Sequence, residues 1–212
     1  MKETKKKERV LTPAEQERKQ KTDVLLAEYA KKGYSAKPLL LNMTAVNLLG
    51  VVIGAAIGIS VVMKLRPDLE AGTAGSGILA AAIVLLLSIV STPLHEFLHG
   101  CGWAISTGNG FASIRYGFNK KAFVPYCTCG VPLKKGRYLL GTLLPCVVLG
   151  VLPLVVSAFV RNYWVLLFGL LGVSGAVGDL CTTVQLLCYR RKKDELLCID
   201  HPTEAGLYVI EK

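Results

Sequence analysis

What this chain of 212 residues has least of is acid within its apolar stretches: from residue 71 to residue 193 only Glu96 and Asp179 are acidic. Histidine is scarce as well, and two of the three, His95 and His99, flank Glu96. The seven cysteines (Cys101, Cys127, Cys129, Cys146, Cys181, Cys188, Cys198) contain no C-x-x-C pair. Cys127 and Cys129 are spaced C-x-C, which is not a usual structural zinc pattern, so they are read as inert, reduced thiols. There is no internal repeat and no low-complexity tract, which argues against a solenoid or a disordered scaffold. No cleavable signal is apparent either: the first apolar block begins past residue 40, behind a long charged segment. The basic residues are not interleaved with stacking aromatics, so nucleic acid is not an expected partner despite a net charge of +10.

What is present is apolar residue in blocks. The chain is 52% hydrophobic, and its long apolar runs cover Met43–Met63, Ile78–Leu98, Leu139–Val160 and Tyr163–Tyr189. Each is long enough to cross about 30 Å of hydrocarbon. The fold expected is therefore an all-α polytopic membrane protein of about four transmembrane helices, with the lipid bilayer as its first partner. Three regions follow: a basic N-terminal helix or extension over 1–40, a membrane domain over 41–190, and a tail over 191–212.

Basic residues set the expected orientation. Eleven Lys/Arg precede the first block, six lie between the second and third (Arg115, Lys120, Lys121, Lys134, Lys135, Arg137), and "RRKK" follows the fourth. The remaining two connections hold only Lys64 with Arg66, and Arg161. The positive-inside rule places both termini and the middle connection in the cytosol, in the cytoplasmic membrane.

Outside the blocks, "TPAE" at Thr12–Glu15 reads as a capping box with proline at the first helical position. The helix it opens should end at Gly33; its lysines suit an anionic lipid surface, and a solvated extension reads equally well. Residues 111–133 read as a cytosolic β-hairpin between the second and third spans. "FASIRYGF" is one strand, "NKK" the turn, and "AFVPYCTCGVPL" a proline-bearing edge strand that could accept an extended peptide or simply close the connection.

The motif lies in "STPLHEFLHG". In H-E-x-x-H on a helix, the i, i+4 spacing puts His95 and His99 on one face, one turn apart, where two imidazoles can share a Zn²⁺ ion at about 2.0–2.1 Å. Glu96 projects beside the metal and can take a proton from bound water, whose pKa the metal lowers toward about 7. At about 1.5 Å per residue His95 lies roughly 25 Å from Ile78, near the cytosolic boundary. Pro93 can kink the helix, and Gly100 and Gly102 admit a neighbouring backbone. Two histidines leave a catalytic zinc under-coordinated. Ile105 stands where the longer soluble signature has its third histidine. Asp179, in "SGAVGDL", is the only acid between Glu96 and Asp194. His201, in the tail before Pro202, is the rival and is not expected to be a ligand. Gly172, Gly175 and Gly178, at three-residue spacing, would let the fourth span approach the second.

These features resemble a family of small bacterial zincin membrane metallopeptidases, and more distantly the site-2 protease group of intramembrane zinc proteases. The resemblance runs from about Leu85 to the end, on "HEFLHG", "VPYC", "LLGTLLP" and "GAVGDL" before a basic tail. It implies a zinc metalloendopeptidase that cleaves a membrane protein or peptide at the cytosolic side. Its metal ligands would be His95, His99 and, as third ligand, Asp179, with Glu96 as catalytic base. The chain lacks the Asn-Pro that precedes the aspartate in site-2 proteases and has no room for a PDZ-like domain. The alternative is a non-catalytic membrane protein, a pseudoprotease or a transporter accessory subunit, whose polar cluster binds an ion or is structural.

Overall fold

The structure, a computed structural model, describes residues 11–65, 74–119, 124–190 and 195–212. The expected "NKK" turn, most of the "RRKK" run and the connection before the second apolar block fall largely outside the described residues.

Helix α1 (Pro13–Lys31) begins as the sequence predicts. Thr12 Oγ1 accepts from the Glu15 N–H at 3.3 Å, and the Glu15 carboxylate accepts from the Thr12 N–H at 2.8 Å. Gly33 follows the helix at φ +84°, a conformation that glycine adopts without strain. Strand β1 (Ser35–Leu40) leads to α2 (Met43–Leu65), and α3 (Ala74–Thr107) carries the motif. A 3₁₀ turn at Gly110–Ser113 opens a two-stranded antiparallel ribbon, β2 (Ile114–Asn119) with β3 (Val124–Cys129). After β4 (Leu133–Lys134), one apolar helical run continues through α4 (Lys135–Pro145), a π-helical stretch at Cys146–Val151 and α5 (Leu152–Val160). Then follow α6 (Tyr163–Gly175), α7 (Val177–Cys188), β5 (Leu196–Asp200) and β6 (Gly206–Glu211).

The chain is mostly helical. Among the described residues two helices are long and apolar enough to cross a membrane, Ala82–Thr107 and Lys135–Val160, at 26 residues each. A third is available if α6 and α7, bent by 51° at Ala176, count as one broken span. The described apolar part of α2, Met43–Ala56, is shorter than a span. The outer faces of these helices leave Leu85, Ile89, Val90, Leu152 and Phe159 exposed, as contact with lipid tails requires.

The expectation of helices with one small β-hairpin is met in part: the chain is mostly helical, but β-structure also forms at both of its ends. Residues 35–40, 133–134 and 196–211 join in a four-stranded antiparallel sheet of order β1-β6-β5-β4. Its alternating side chains serve two faces. Leu196, Cys198, Leu207 and Val209 pack with Trp103, Tyr138 and Leu186 at the helix ends. Leu197, Ile199 and Ile210 pack under Leu25, Leu26 and Tyr29 of α1. The N-terminal helix is thus the outer layer of a small α/β cap seated on the helical bundle, and the sheet its middle layer. Pro38 is tolerated because β1 is an edge strand.

Candidate metal centre

The site forms where α3, α4 and α7 meet. Pro93 cannot donate a backbone hydrogen bond, and the hydroxyls of Ser91 and Thr92 donate to the Ser88 carbonyl, at 2.8 and 3.4 Å, in the turn before it. One turn later come His95 and His99. Helix α4 approaches α3 closely because two glycines face each other: a Cβ on Gly102 would lie 2.5 Å from the Gly141 Cα. Gly100 meets the Tyr116 side chain, not a neighbouring backbone.

That close approach brings the Gly141 carbonyl 2.9 Å from His99 Nδ1. A carbonyl only accepts, so Nδ1 carries the proton and donates it, which leaves the Nε2 lone pair free. Trp103 stacks on the His99 ring at 5.2 Å and donates its indole N–H to the Tyr138 carbonyl at 2.9 Å, fixing the ring plane.

Asp179 enters from α7. The break at Ala176 makes Val177 the start of a new helix and puts Asp179 in its first turn, where the partial positive charge of the helix end favours a carboxylate. Asp179 Oδ2 lies 3.1 Å from His95 Nε2, and Oδ1 lies 3.3 Å from His99 Nε2. The two histidine Nε2 atoms are 3.1 Å apart. His99 is buried, and His95 and Asp179 are about one-fifth exposed. Among the described residues these three form the one group able to hold a metal ion, with one donor atom from each inside a 4.8 Å span.

The donor set fits zinc. Two imidazole nitrogens and a carboxylate are ordinary ligands for it, and donors at about 2.0–2.1 Å on tetrahedral corners are spaced about 3.3 Å apart. Lone pairs converging this closely repel one another unless a cation or shared protons lie between them.

Glu96 is adjacent, on the side toward the ribbon, where its carboxylate is within reach of the Cys127 N–H in β3. The pairing explains why that N–H is available. Gly130 donates to the Ser113 carbonyl at 2.8 Å, so alternation makes Arg115–Thr128 and Gly117–Tyr126 the bonded pairs. Cys127 and Cys129 therefore turn their N–H groups to the outer edge of β3. Cys129 donates there to Asp200 Oδ2 at 2.7 Å, and the Tyr138 hydroxyl donates to Asp200 Oδ1. The edge read from the sequence as open is engaged at both positions. Burial holds the Asp200 carboxyl above the usual carboxylate range. Sequence reasoning missed Asp200; "CID" at a strand end carries no signal for it.

Other candidates lie apart from the cluster. His201 Nδ1 accepts from the Thr203 and Glu204 N–H groups at 3.3 and 2.9 Å, and its ring stacks on Tyr208. Cys127 and Cys129 are buried, and burial pushes the Cys129 thiol up to about 11 and that of Cys127 higher still. The glycine run does not join α7 to α3. Among the described residues Gly172 packs on Leu149, Gly178 meets Val46 alone, at 3.8 Å, and Gly175 has no neighbour within 4 Å. The bend at Ala176 turns the helix face after Gly175, so the three-residue spacing does not persist as one stripe.

Residues 88–193, half of the chain, match a protein family described as "Putative zincin peptidase". No curated protein and no solved structure matches the chain. The matched segment holds the end of α3 with both histidines and Glu96, the ribbon, the Gly141 carbonyl and Asp179. On that match the chain belongs to this zincin-type peptidase family.

Proposed function

We propose that the protein is a zinc-dependent intramembrane metallopeptidase of site-2 protease type. His95, His99 and Asp179 hold the metal, and Glu96 is the general base. The observation that carries this reading is the convergence of His95, His99 and Asp179, from helices 84 residues apart, beside a glutamate on the motif helix. Zinc bound there supplies Lewis-acid polarisation of water and of a peptide carbonyl. Glu96 then takes a proton from the attacking water and delivers it to the departing amine nitrogen. His99 stays oriented throughout by the Gly141 carbonyl.

The substrate is a membrane protein or peptide, unwound so that its carbonyl is reachable. An extended segment along the outer edge of β3 would accept the Cys127 and Cys129 N–H groups now directed to Glu96 and Asp200. Its arrival would release Glu96 for proton transfer. In this reading α2 is the first of four spans, both termini and the ribbon are cytosolic, and the protein resides in the cytoplasmic membrane.

The test is Glu96→Gln in purified, zinc-loaded protein. The amide keeps the shape but accepts no proton, so turnover should fall by about 10²–10⁴-fold with zinc content unchanged. A full hydrolytic rate on a verified substrate would remove Glu96 from the role of base.

A further inference from the structure

Between α1, the outer face of the ribbon and the end of β5 lies a cavity of about 720 Å³, distinct from the metal centre and large enough for a small ligand. Helix α1 contributes one stripe to it: Ala14, Arg18, Lys21 and Leu25 recur at three- and four-residue spacing. The ribbon contributes Arg115, Tyr126 and Thr128, which share one face of the pleat.

The charges are unbalanced. Three cations line the cavity, Arg18, Lys21 and Arg115, against the carboxylates of Glu17 and Asp200. Glu17 is paired with Lys21 at 2.5 Å. The Asp200 oxygens are engaged by the Tyr138 hydroxyl and the Cys129 N–H. Two guanidinium groups remain without an ion pair; Asp200 attracts Arg18 and Glu17 attracts Arg115 at longer range, so the lining carries one net positive charge. Arg18 lies over the Tyr126 ring at 4.4 Å, and its buried Nε has no hydrogen-bond partner among the described residues. Arg115 is exposed and has no ion-pair partner among the described residues. The other walls include Val131 and Ile199, so the space suits an anion attached to an apolar body.

Its location says which anion. Asn109, Ala112 and Ser113 of the cavity follow directly on Thr107, where the candidate span in α3 ends. Beside them Phe97 stacks with Phe111 at 6.1 Å and with Tyr116 at 6.5 Å. All three rings are about half exposed. Tyr116, past the end of that span, is the amphipathic ring type that settles at a membrane–water interface. Basic pockets at that level bind acidic headgroups.

We propose that this cavity binds the phosphate headgroup of an acidic phospholipid, which Arg18 and Arg115 clamp between α1 and the ribbon. The inference rests on the membrane-embedded reading and does not depend on peptidase activity. Its consequence is mechanical: the headgroup ties the N-terminal helix to the two strands that cover Glu96.

The test uses the full chain in lipid nanodiscs of phosphatidylcholine alone or with one-fifth phosphatidylglycerol. The readouts are the unfolding temperature and the lipid retained through purification, measured by native mass spectrometry. Phosphatidylglycerol should raise the unfolding temperature and remain bound at about one per chain. Each arginine changed to glutamine should weaken its binding about fivefold, and both together about 25-fold. Should the double variant not fold, Thr128→Trp, which fills the cavity from the ribbon side, should displace the lipid. Equal retention in the double or the cavity-filled variant would overturn the site. Equal stabilisation by glycerol 3-phosphate without lipid would overturn the lipid assignment and indicate a soluble phosphate compound. Failure of the chain to enter nanodiscs would instead refute the membrane reading, whatever its zinc content.

Discussion

Replacing Asp179 by asparagine probes the join between the two helices that build the metal centre. The carboxylate sits 3.1 Å from His95 Nε2 and 3.3 Å from His99 Nε2, so both of its oxygens face donor nitrogens. Asparagine keeps the shape, removes the negative charge, and turns one oxygen into an NH₂ group that cannot ligate zinc. Losing an outer-shell partner of a metal ligand typically costs about 10–100-fold in affinity. Losing a direct anionic ligand should therefore cost at least about a hundredfold, or roughly 2.7 kcal/mol. The fold should survive. An aspartate in a membrane helix is itself costly, by about 2.5–3.5 kcal/mol on insertion scales, and the neutral amide relieves part of that. The assay is competition of the purified protein against a calibrated zinc chelator, with circular dichroism and gel filtration as controls for folding. Unchanged zinc affinity in a folded Asp179→Asn protein would refute the three-ligand reasoning.

Two more outcomes follow from the geometry, and a third from the proposed orientation. Gly102→Ala should destabilise the protein by about 1–3 kcal/mol, because its Cβ would come within 2.5 Å of the Gly141 Cα and force α3 from α4; thermal unfolding with zinc titration should show weaker metal binding as the Gly141 carbonyl leaves His99. His201→Ala should keep full zinc content by metal analysis, since its Nδ1 serves only a turn at Thr203–Glu204; loss of zinc with normal folding would make it a ligand. Cysteine-accessibility labels at residue 20, residue 120 and the C-terminus should report the cytosol and one near Ala71 the opposite side; an external label at residue 120 would invert the site's placement.

What was legible in the sequence was whatever is local or chemically costly. The capping box at Thr12–Glu15 is a three-residue contact and formed as read. The H-E-x-x-H spacing depends only on helix periodicity, and α3 runs through it despite Pro93. Asp179 was conspicuous because acid is rare in apolar helices, and it does meet His95 and His99. The sheet was not legible. β1 and β6 pair Ser35 with Glu211, a contact no local pattern announces. β5 is a continuous apolar run buried on both faces, without the alternation that marks a half-exposed strand. The α6–α7 break was hidden for a related reason: "SGAVGDL" is apolar enough to continue a span, and only tertiary packing bends it at Ala176.

In the proposed centre two imidazoles and one carboxylate, and no thiolate, hold zinc. X-ray absorption at the zinc edge on the purified, zinc-loaded wild-type protein tests it most directly. The expected result is one zinc per chain with nitrogen and oxygen scatterers at about 2.0–2.2 Å and two imidazole signatures. A sulfur shell at about 2.3 Å, which would implicate Cys127 or Cys129, or the absence of stoichiometric zinc, would contradict it.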